Sequence, residues 1–90
     1  MERERLAYEL ANFCLAYGIL GATHGAEEMK KGIEARFDDV AFVEELINHI
    51  SVNTKYRKDI DTEKLIELLS ALDYIRLQHE YGVAEKAKTR

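Results

Sequence analysis

Residues 61–82, DTEKLIELLSALDYIRLQHEYG, decide the fold. At 100° per residue, Leu65, Leu68, Leu69, Leu72 and Ile75 fall on one side of a helix, a stripe that Val83 continues just beyond the stretch. Ile66, Tyr74, Leu77 and Tyr81 fall nearly opposite, and with Ser70 they recur at spacings of four, four, three and four. One apolar stripe builds a core; a second one needs another surface to cover it. The start of this helix is well marked. Asp61 is placed to cap it, while Ile60 before the cap and Leu65 at the fourth helical position form a hydrophobic staple. The segment runs to at least Tyr81, with Gly82 as a stop or flaw.

Upstream, Val52 to Ile60 has no helical period and reads as a connector, with Asn53 suited to a left-handed position past a helix end. From Ala26 to Ser51 the pattern predicts a single amphipathic helix with Met29, Ile33, Phe37, Val40, Val43, Ile47 and Ile50 on one broad face. Gly32 is its weak point, where a break would leave a short helix ahead of the main one. The first helix is expected over Glu2 to Leu20. Leu6, Leu10, Phe13, Tyr17 and Leu20 share one face, Tyr8, Leu15 and Ile19 form a second line, and Glu9 and Asn12 occupy a narrow polar wedge. Gly21 to Gly25 reads as the turn that follows. No proline interrupts any of these segments.

The expected fold is therefore all-α. A single domain over residues 1–90 has three helices, two long and antiparallel plus a hydrophobic N-terminal one, assembled as a homo-oligomeric helical bundle. With 47% hydrophobic and 33% charged residues the chain is too apolar for a disordered segment, and its five glycines are too few breakers for an all-β domain. Ninety residues bury a modest fraction of their surface, so oligomerisation supplies burial that one small core lacks.

Charge narrows the partners. A net charge of -4, with acids and bases mixed along most of the chain, excludes the basic footprint of a duplex nucleic-acid binder. Leu6 to Ala22 is slightly short of the ~20 residues a bilayer span needs and carries Glu9 and Asn12, so no membrane insertion is expected. A secretory leader is disfavoured because Glu2 and Glu4 offset Arg3 and Arg5. The lone Cys14 cannot form an intramolecular disulfide, which fits a reducing, cytoplasmic setting.

Three constellations are candidates for chemistry. On the middle helix Glu27, Glu34, Asp38 and Glu45 share one line, and carboxylates a turn or two apart can hold magnesium through hard oxygen ligands. That line lies opposite the apolar face, where solvent belongs, so Glu34, Asp38 and Glu45 are weak metal candidates and no metal or other cofactor is expected. The acid pairs Glu34 with Asp38 and Glu63 with Glu67 also lack the denser clusters of the small helical pyrophosphohydrolases, whose size and fold class are otherwise comparable. The histidines His24, His49 and His79 have no metal-ligand spacing. The connector residues Lys55, Tyr56, Arg57 and Lys58 are basic and aromatic in an acidic chain, a composition that can clamp a phosphate and stack on a base.

No pattern names a reaction, so no catalytic residue is assigned. The second apolar faces are the strongest signal, and tyrosine suits an interface because it joins apolar area to a polar tip. The expected role is a small non-enzymatic, oligomeric interaction protein of inhibitor or regulator type. Its contacts to a protein partner or another subunit would come from Tyr8, Leu15, Ile19, Ile66, Tyr74, Leu77 and Tyr81. The alternatives are an oligomeric binder of a small anion such as a nucleotide, through the connector, and then a magnesium-dependent nucleotide hydrolase.

Overall fold

A computed structural model describes residues 2–19 and 25–88, with side chains through Glu80. The described residues are all-helical with no strand, in four helices: α1 (Arg3–Ala16), α2 (Ala26–Glu34), α3 (Val40–Thr54) and α4 (Thr62–Lys88). Four helices replace the predicted three because the middle segment breaks at residues 35–39 rather than at Gly32. Asp39 is the cause. It leaves the helical backbone at φ -95° and ψ 102°, and its carboxylate accepts hydrogen bonds from the Ala41 and Phe42 amides at 3.1 and 3.3 Å. These amides at the second and third positions of α3 would otherwise lack partners. The turn also swings Phe37 fully into the core.

α1 ends earlier than the periodicity predicts. Gly18 adopts φ +66°, its amide donates to the Leu15 carbonyl, and the Ile19 amide donates across it to the Cys14 carbonyl at 2.8 Å. This paired closure after a left-handed residue is a Schellman motif, which favours glycine because a Cβ is strained at positive φ. It also turns Ile19 back into the core, so Ile19 packs inside instead of joining an outer line with Tyr8 and Leu15.

The start of α4 follows the predicted chemistry. Asp61 accepts from the Lys64 amide at 3.1 Å, and Ile60 and Leu65 both pack against the core. α3 instead runs through Asn53, which stays helical and donates from Nδ2 to the His49 carbonyl at 2.7 Å. Thr54 closes α3 from within, its buried hydroxyl donating to the Ile50 carbonyl at 2.7 Å.

The core is continuous across all four helices. Leu6, Leu10, Phe13 and Cys14 of α1 meet Ile33 of α2, Val43, Leu46 and Ile50 of α3, and Leu68, Leu72 and Ile75 of α4. Ala7 and Ala11 are also buried, which requires a close neighbouring backbone, and α2 is the helix packed most extensively on α1. α4 runs antiparallel to α1. Lys64 near its start bonds Glu9 at 3.1 Å, while Ser70 to Gln78 lie beside Arg3 and Leu6. At about 1.5 Å per residue, its 27 residues span about 40 Å, most of the molecule's 48 Å longest dimension.

Candidate interaction surface

Packing seals only the inner side of α4. On its outer side Ile66 is 59% exposed, Tyr74 62% and Leu77 37%, with Ser70 exposed between them. These residues hold the predicted register of four, four and three. Large apolar side chains scattered singly on a surface are ordinary, but a run in helical register forms one continuous patch. The Gln78 side-chain amide donates to the Tyr74 hydroxyl at 3.0 Å, one turn along the same helix. That bond ties the polar tip of the ring to its own helix and leaves the ring face open.

Beside this patch lies a groove of about 520 Å³ between α1 and α4, lined by Arg3, Leu6, Ser70, Ala71, Tyr74, Ile75 and Gln78. Its floor is apolar and its rim polar. Tyr74 belongs to both patch and groove, and Ser70 and Ala71 leave room one turn before it. Nothing in the sequence marks the groove, because Arg3 and Leu6 come from the far end of the chain. The other predicted contact residues lie elsewhere. Tyr8 is on the side of α1 roughly opposite Leu6, in a separate shallow recess with Lys30 of α2, and Leu15 is half-buried on that same side. The side chain of Tyr81 lies outside the described residues.

Among the connector residues, Arg57 is engaged by the fold itself. Arg57 makes two hydrogen bonds to Asp59, at 3.1 and 2.9 Å, donates to the Tyr17 carbonyl at 2.5 Å and stacks over the Tyr17 ring at 5.2 Å. The Asp59 carboxylate raises the Arg57 pKa, and in return the guanidinium holds Asp59 below the usual carboxylate range. The Tyr17 hydroxyl accepts from the Asp61 amide at 3.1 Å. Arg57 is thus a clasp between the end of α1 and the start of α4. Tyr56 is 86% exposed with Lys55 over its ring at 5.4 Å, and Lys58 is exposed.

The acidic line is divided by the break at residues 35–39. Glu34 ends α2, Asp38 sits in the turn, and Glu45 lies on α3. Arg3 bonds Asp38 at 2.9 Å and lowers its pKa. Among the described residues no three His, Cys, Asp or Glu side chains gather closely enough to hold a metal ion. His79 Nε2 lies 3.1 Å from the Phe37 carbonyl, which joins α4 to the α2–α3 turn, and His49 is exposed. His24 lies outside the described residues. Burial raises the Cys14 thiol from its ordinary 9.0 to about 11, so it stays protonated near neutral pH and is a poor nucleophile.

No described helix is long and apolar enough to cross a membrane. The chain matches no protein-family model, no curated protein and no solved structure.

Proposed function

We propose that this chain is a small non-enzymatic interaction protein, of inhibitor or regulator type, whose contact surface is the outer face of α4 and the adjoining groove. The observation that carries the reading is the run Ile66, Ser70, Tyr74 and Leu77, which stays open although the same helix buries Leu68, Leu72 and Ile75. A surface tyrosine beside a groove is the kind of residue on which protein interfaces concentrate their energy. The competing readings draw less support. Arg57, the central cation of the connector, already serves Asp59 and Tyr17, and the acids Glu34, Asp38 and Glu45 are spread over two helices and a turn.

A photo-reactive phenylalanine analogue placed at position 74, irradiated in a lysate of the source cells, tests the assignment. Covalent adducts with protein are expected from position 74 and not from the same probe at Glu45, an exposed position on α3. Equal yields at both positions, or no adduct at position 74, would overturn it.

A further inference from the structure

We infer that the turn between α2 and α3 is a hinge: when it straightens, residues 26–54 form one helix, and two chains exchange their α1–α2 hairpins to make a domain-swapped dimer. The outer face of α4 takes no part in the exchange.

The molecule is built as two helix hairpins. α1 packs on α2, α3 packs on α4, and the halves meet chiefly where α1 lies against α4. Residues 35–39 join them. That join is close to helical already. The Ala35 amide donates to the Lys31 carbonyl at 3.0 Å, as in an α-helix, and the Arg36 and Asp39 amides donate three residues back, to Ile33 and Arg36, at 3.1 and 3.0 Å. Ala35 itself is helical at φ -65° and ψ -17°. The departure comes at Asp39, whose carboxylate stands in for the carbonyls that the Ala41 and Phe42 amides would find in a continuous helix. Residues 33–54 hold no glycine or proline, and Ile33, Phe37, Val40 and Val43 share one helical face through the turn, so a straight helix is sterically open and keeps its apolar stripe.

Straightening carries α1 away from the α4 of its own chain, which uncovers Leu68 and Leu72. A second chain that has straightened in the same way covers them with its own α1. Lys64 to Glu9, Arg57 to the Tyr17 carbonyl and the Asp61 amide to the Tyr17 hydroxyl all link one hairpin to the other, and all re-form between chains. Exchange therefore leaves the core nearly unchanged and is decided by the hinge and by concentration. The Asp39 cap and His79, 3.1 Å from the Phe37 carbonyl, hold the turn bent. The dilute chain stays single because association costs translational freedom.

Refolding from urea at millimolar concentration, followed by light scattering during size exclusion, tests the hinge. A cap favours the bent form about fivefold and a dimer contains two hinges, so Asp39→Ala should raise the association constant about 25-fold, while Asp39→Asn, which keeps a capping oxygen, should match the wild type. Adding Gly-Ser-Gly after Asp38 to the Asp39→Ala chain slackens the turn and bars the long helix, and should return the dimer yield to the wild-type level. Dilute, every variant should run at the 10.4 kDa single-chain mass with wild-type helical circular dichroism. To show exchange, Glu9→Cys and Lys64→Cys chains, both carrying Asp39→Ala, are refolded together and then treated with a short bis-maleimide, from which buried Cys14 is shielded. An exchanged pair sets the two new thiols side by side and keeps one native Glu9–Lys64 bond, so the two chains should be cross-linked; either chain refolded alone should not be. A dimer yield that Asp39→Ala leaves unchanged, a yield that survives the insertion, or dimers that fail to cross-link overturns the inference.

Discussion

The two faces of α4 share one backbone and a similar apolar content, yet they meet opposite fates. Leu68, Leu72 and Ile75 are buried under the remaining helices, while Ile66, Tyr74 and Leu77 are left open. The difference is one of supply. α1 packs against both α2 and α4, α3 packs against α4, and no described helix remains to cover the outer side. A small domain has few elements to place, so a second stripe at helical spacing outlasts folding as a surface patch.

The largest effect that separates the faces should come from truncating the inner one. Leu72→Ala removes a fully buried side chain and should cost about 2–5 kcal/mol in urea unfolding. A cost near zero would mean that the inner face is not the core. Next in size are the devices that hold the other helices against that face. Gly18→Ala meets no neighbouring atom, so its cost is backbone strain alone, roughly 1–2 kcal/mol for a left-handed residue carrying a Cβ. Asp39→Ala should lose about 1 kcal/mol through the missing cap. It should also raise amide exchange first at Ala41 and Phe42, and unchanged protection there would show that the break between α2 and α3 has another cause. The smallest effect belongs to the outer face. In the purified chain, Tyr74→Ala should shift stability by no more than about 0.5 kcal/mol, as expected for an exposed site. A loss as large as that of Leu72→Ala would show that Tyr74 is covered within the monomer and erase the contrast between the faces.

Much of this contrast was legible in the residues themselves. The helical class, the Asp61 cap with its Ile60 and Leu65 staple, and the open register of Ile66, Tyr74 and Leu77 all follow from local periodicity and capping chemistry. The break between α2 and α3 did not, because Ile33, Phe37, Val40 and Val43 keep helical phase across it and conceal the turn. Only the carboxylate of Asp39, bonded to two amides, shows that the helix restarts there. Ile19 looked like part of an outer line because periodicity assumed the helix continued, whereas Gly18 at φ +66° ends it and turns the chain inward. The role of Arg57 was hidden for another reason: its partner Tyr17 is 40 residues away, and pairings at that range leave no local pattern. The groove escaped notice on the same ground, being made where Arg3 and Leu6 meet Ser70 to Gln78.

Methyl NMR in the presence of a soluble paramagnetic agent compares the two faces within one sample and so bears most directly on the central claim. The methyl resonances of Ile66 and Leu77 should broaden strongly, while those of Leu68, Leu72 and Ile75 stay nearly unaffected. Outer-face methyls that stay protected, or inner-face methyls that broaden as much, would contradict an outer face left open by the fold.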